Sequence, residues 1–147
     1  MPSRPQSFVL IVALATLLAT TLLACSTSVQ AASAPLMPMD KLPAAVQSAP
    51  MIVRTAYQFA AVNPEVMKQI PCYCGCGNIG HTSNYSCYVS HADQQGTITF
   101  DNHALGCSIC VDITLDAMRL LKEGKSVPEI RAYVDATYSK YGTSNMP

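Results

Sequence analysis

A mainly α fold is predicted: a small helical domain with a C-terminal helical hairpin, a cysteine-rich loop and room for two short strands. Three observations carry this. Two apolar stripes at helical spacing flank Glu123-Gly124-Lys125. A third stripe runs from Met51 to Ala61. Between them, three cysteines fall within Cys72 to Cys76, in a stretch crowded with glycine.

The N-terminal third does not read as globular. Met1 to Gln6 carry one basic side chain, Arg4, and Phe8 to Ala24 form an unbroken run of apolar residues and Thr. A short basic start, an apolar middle and small residues after it are the layout of a signal peptide. The run ends in Leu22-Leu23-Ala24-Cys25, which resembles a lipobox, so Cys25 is expected to be the first mature residue and to carry lipid (palmitate or a similar acyl chain). Ordinary cleavage near Val29-Gln30-Ala31 is the alternative. Stable anchoring takes two acyl-type signals, which a diacylated cysteine supplies. The expected location is extracytoplasmic, held by lipid to the bacterial cell membrane. Residues 25–50, rich in Ala, Ser, Pro and Met, read as a flexible tether, and residues 51–147 as one cysteine-rich domain.

Charge narrows the function classes. The chain carries nine basic and nine acidic residues with no basic cluster, which argues against nucleic acid as a partner. No carboxylate pair, Ser-His-Asp set or phosphate loop stands out, so hydrolysis and group transfer are not expected, and membrane lipid through Cys25 is the expected partner.

Within the domain, Ile52, Ala56, Phe59 and Ala60 recur at helical spacing. Asn63-Pro64-Glu65 reads as a helix start with Asn as the cap, and Val66, Met67 and Ile70 are expected to pack inward. Tyr85, Cys87 and Val89 alternate, which predicts a strand over 85–89, and Thr97 to Phe100 predicts another. Val111, Leu115, Ala117, Met118 and Leu121 give the next helix a broad apolar face, and Gly124 stops it. Ser126 and Glu129 form a capping box, and Ile130, Tyr133, Val134 and Tyr138 line the last helix.

The chemistry lies in Cys72, Cys74, Cys76, Cys87, Cys107 and Cys110, with His81, His91 and His103 interspersed. If Cys72 to Cys76 is extended, its three sulfurs point to one side. A Cys-x-Cys pair is poorly placed for a local disulfide and well placed to offer two thiolates to one ion. Cys107-Ser-Ile-Cys110 is a frequent half-site for soft metals. It also precedes a helix, whose N-terminus favours the thiolate. His103 and His81 are candidate nitrogen ligands, whereas His91 reads as a solvated residue. Copper or zinc is the expected metal. Two other readings stay open: structural disulfides, usual for an even cysteine count in a small secreted domain, and a redox dithiol of Cys107 and Cys110.

Pro71-Cys72-Tyr73-Cys74-Gly75-Cys76 spells the motif after which the PCYCGC-motif (lipo)protein family is named. The order of Gly80-His81, Cys87, Asp101-Asn102-His103-Ala104 and Cys107-Ser108-Ile109-Cys110 also resembles that family, over roughly 63–141. The resemblance implies a bacterial lipoprotein and no assigned activity. The stretch from Leu121 to Ile130 with Tyr138 and Tyr141-Gly142 is similar to the C-terminal hairpin of CcmH-type cytochrome c maturation proteins. Those are membrane-anchored thiol reductants, although the Cys-x-x-Cys pair here sits closer to the turn.

Overall fold

The apolar periodicity resolves into five helices among the described residues: α1 (Ala44–Gln47), α2 (Met51–Val62), α3 (Pro64–Met67), α4 (Ser108–Lys122) and α5 (Val127–Tyr138). A two-stranded antiparallel sheet, β1 (Val89–Ala92) and β2 (Ile98–Phe100), lies between α3 and α4. This computed structural model describes residues 34–147; the leader and Cys25 lie outside the described residues.

α4 and α5 form the expected hairpin. Gly124, at φ 82°, makes the left-handed turn that a Cβ would strain. At the start of α5 the Glu129 carboxylate accepts from the Ser126 backbone N–H at 2.8 Å and from its hydroxyl at 2.7 Å. The side of α4 that turns inward is Cys110, Val111, Ile113, Thr114, Ala117 and Leu120, while Leu115, Met118 and Leu121 are half-buried. α5 buries Ile130, Val134 and Tyr138; Tyr133 instead stays outside, beneath the Arg119 guanidinium. α2 buries Ala56, Phe59 and Ala60 as expected, together with Val53 and Tyr57, whereas Ile52 is exposed. Tyr57 anchors this face, packing edge-on against Tyr88 and donating to the Asp101 carbonyl at 2.7 Å.

Three local expectations are corrected. Asn63 does not cap α3 with its side chain; its amide donates to the carbonyls of Phe59 and Pro35. Residues 34–50, expected as tether, pack on the domain: Leu42 and Val46 are buried, and the Met37 N–H donates to the Gln58 carbonyl. Tyr85 to Cys87 is a single 3₁₀ turn rather than a strand, and β1 starts at Val89. The reason is burial: Cys87, Tyr88 and Val89 are all inside, and a strand places consecutive side chains on opposite faces.

Candidate metal centre

The cysteine loop opens after the buried Ile70 and Pro71. Gly75, at φ 85°, ends its extended part and sends Cys76 into a 3₁₀ turn, Cys76–Ile79. The three sulfurs of this loop therefore do not serve one group, as an extended strand would require. Cys72, Cys76 and Cys87 form one buried set, whereas Cys74 joins His103, Cys107 and Cys110 in a second; within each set the ligand atoms lie within 4.8 Å of one another.

The two sets touch. Cys72 Sγ lies 3.4 Å from both Cys74 Sγ and Cys110 Sγ. Cys74 Sγ lies 3.5 Å from Cys110 Sγ and 3.4 Å from His103 Nε2, and Cys87 Sγ lies 3.6 Å from Cys76 Sγ. The six cysteines among the described residues are unbridged. For comparison, ligand bonds of about 2.3 Å at a tetrahedral ion put neighbouring sulfurs about 3.8 Å apart. The sulfurs thus already stand at nearly the spacing of a coordination sphere.

Two elements and a polar network behind them aim these groups. Cys107 is the N-cap residue of α4 and Cys110 lies in its first turn. The short turn His103–Leu105 carries His103, whose backbone N–H donates to the Asp101 carboxylate at 2.7 Å. Behind Cys110 a buried polar network holds the helix start. Its carbonyl accepts from the Tyr88 hydroxyl at 2.8 Å and the Asn84 amide at 3.4 Å, and Thr114 Oγ1 lies 2.7 Å from Asn84 Oδ1 and 2.8 Å from the Tyr88 hydroxyl. Burial pushes the Tyr88 phenol well above its ordinary value, so it stays protonated and able to donate.

Asn145, near the C-terminus, is a site residue that sequence reasoning missed. Its Oδ1 accepts from the Cys72 N–H at 2.7 Å, its own backbone N–H donates to the Cys72 carbonyl at 3.1 Å, and its amide reaches Cys76 Sγ at 3.5 Å and the His81 carbonyl at 3.1 Å. The signal available was weak, a lone Asn far along the chain from the cysteine loop.

The thiols divide their protons unequally. Hydrogen bonds from Cys110 draw the Cys72 and Cys76 thiols down from their ordinary value. Cys74 is pushed up by burial and by the charge on Cys72, and Cys110 is pushed up because it donates to Cys72 and Cys76. The helix N-terminus was expected to favour the thiolate at Cys107 and Cys110; at Cys110 the hydrogen bonding with Cys72 and Cys76 outweighs it and raises the thiol. Ionisation is thus favoured first at Cys72 and Cys76, and further ionisation needs a cation to offset it.

His81 belongs to neither set. Its ring packs edge-on against His103 with centroids 5.1 Å apart, its Nε2 lies 3.6 Å from an Asp101 carboxylate oxygen, and its buried Nδ1 has no hydrogen-bond partner. His91 is exposed on β1.

A family model described as "Protein of unknown function with PCYCGC motif" matches residues 16–146. No match was found among curated proteins or among solved structures.

Proposed function

Because the chain belongs to the PCYCGC-motif family, for which no function is known, we propose from its own residues that it is an extracytoplasmic, lipid-anchored protein that binds a soft metal ion for trafficking or sequestration. One observation carries the metal reading: six thiols and the His103 imidazole, drawn from a loop, three 3₁₀ turns and a helix start, meet in two contiguous sets. Buried thiols at this density suit thiophilic ions, Cu(I) and Zn(II) first, rather than hard cations. The anchor rests on the apolar run ending at Leu22-Leu23-Ala24-Cys25. Cys25→Ser is expected to move the protein from the membrane fraction to the soluble fraction, and an unchanged distribution would remove the lipid from the proposal.

The metal test uses the full chain purified without oxygen. Bound metal is measured, and reactive thiols are counted before and after chelation. Bound copper or zinc, with the six domain cysteines alkylated freely only once the metal is stripped, is the expected result. Absence of both metal and free thiols would mean a disulfide-stapled module instead.

One feature favours a second reading. Cys107 is half-exposed at the N-cap of α4 with Cys110 buried three residues on. In that arrangement the Cys107 thiolate attacks a partner disulfide, and Cys110 then resolves the mixed disulfide, releasing the partner as two thiols and leaving Cys107 and Cys110 bridged. Reversible oxidation confined to this pair in metal-free protein would favour it.

A further inference from the structure

The two ligand sets differ in number, in burial and in how they meet. Cys74, His103, Cys107 and Cys110 supply four donors; Cys72, Cys76 and Cys87 supply three. A closed thiolate site takes four. The missing donor is at hand. Cys110 Sγ lies 3.4 Å from Cys72 Sγ of the smaller set while remaining 3.5 Å from Cys74 Sγ of its own. Sharing Cys72 instead would leave the smaller set at three and crowd the larger to five.

The sets are also unequal in access. Cys72, Cys76 and Cys87 are all buried, whereas Cys74, His103 and Cys107 are each partly exposed. Cys107 further lines an open groove of about 250 Å³ bounded by Ile52, Ala104, Gly106, Ser108 and Asp112.

We infer that the protein holds two metal ions joined by the Cys110 thiolate: an inner ion enclosed by Cys72, Cys76, Cys87 and Cys110, and an outer, exchangeable ion held by Cys74, His103, Cys107 and Cys110. This rests on the metal-binding reading above and adds to it a division of labour. The inner ion fixes the loop against α4 and stays. The outer ion is the cargo. It leaves by ligand exchange at the groove, where an incoming thiolate forms its bond to the metal as the Cys107 bond breaks, with no change of oxidation state. The same shared sulfur lets occupancy of the inner site set the geometry of the outer one, so the inner site fills first.

Cadmium-113 is the probe, loaded into the full chain without oxygen and read by cadmium NMR together with metal analysis. Two cadmium ions per chain are expected, giving two resonances split by each other through the shared sulfur. On addition of a chelator the outer resonance disappears first. His103→Ala and Cys107→Ser each lose one ion and one resonance and keep the other; because both positions lie at the partly exposed edge, the retained inner signal reports that the variants fold. Two resonances without mutual splitting, or a single ion per chain, would overturn the shared centre while leaving metal binding intact. Failure to take up any cadmium would overturn the metal reading itself.

Discussion

Cys110 presents its sulfur to the thiol cluster and its carbonyl to the buried Tyr88–Asn84–Thr114 network. Removing one hydroxyl from that network leaves a buried acceptor short of a partner, which costs about 1–3 kcal/mol. Tyr88→Phe is therefore expected to lower the melting temperature of the protein while leaving metal stoichiometry unchanged, a combination read by calorimetry and metal analysis on the same sample. Asn145 works on the other side of the cluster. Its amide oxygen holds the Cys72 backbone and its amide nitrogen faces Cys76 Sγ. Groups that orient ligands in this way are worth about 10–100-fold in metal affinity. Asn145→Ala is expected to lose affinity within that range in a chelator competition. Asn145→Asp keeps the acceptor for Cys72 and sets a negative charge beside an anionic sulfur, so it should bind metal more weakly than the Ala variant does. Equal affinity for wild type and both variants would leave Asn145 as a packing residue alone.

At the scale of elements, the cysteine loop is clamped from two directions. The first turn of α4 meets it from one side. The segment after α5 crosses it from the other, and there Gly142 approaches so closely that a Cβ would stand 2.7 Å from the Tyr73 carbonyl oxygen. The Gly142 backbone is extended, so the constraint is contact and not conformation. Gly142→Ala must push the C-terminal segment away from Tyr73 and loosen the Asn145 clamp three residues later. Faster backbone hydrogen exchange across 71–76 is the expected result, with the α4–α5 hairpin unaffected. Protection of that loop equal to wild type would show that the clamp does not depend on the close approach.

For the whole molecule, the distribution of protons among the thiols makes stability and metal uptake depend on pH with opposite requirements. Cys72 and Cys76 are depressed in the fold, so their contribution is present above the unfolded thiol value of about 8.5 and is lost as pH falls through the folded values. Cys74 and Cys110 are raised. Their contribution is present below about pH 8.5 and is lost as pH rises towards the folded values. Metal-free protein is thus expected to be most stable near pH 8.5 and to weaken on both sides. Metal replaces the protons on the raised thiols, so loading releases protons, acid weakens binding, and the loaded protein loses its alkaline weakness. Thermal melts across pH with and without zinc, paired with a proton count on zinc addition, test this. An alkaline decline that is identical with and without metal would count against it.

The sequence by itself determined the mainly helical class, the α4–α5 hairpin with its Gly124 stop and Ser126–Glu129 box, and the residue types able to bind metal. These are local matters. Periodicity, caps and turns act within a few residues, and the PCYCGC hexapeptide is dense enough to be read directly. Tertiary structure alone decided that Tyr57 and Thr114 turn inward, because both find their hydrogen-bond partners on distant segments. It also divided the three loop cysteines between two sets, with Gly75 turning the chain left-handed ahead of Cys76. And it brought Asn145 to Cys72 and Cys76 across most of the domain. A sulfur's neighbours are set by where whole elements pack, and spacing along the chain carries no record of contacts made between such distant residues.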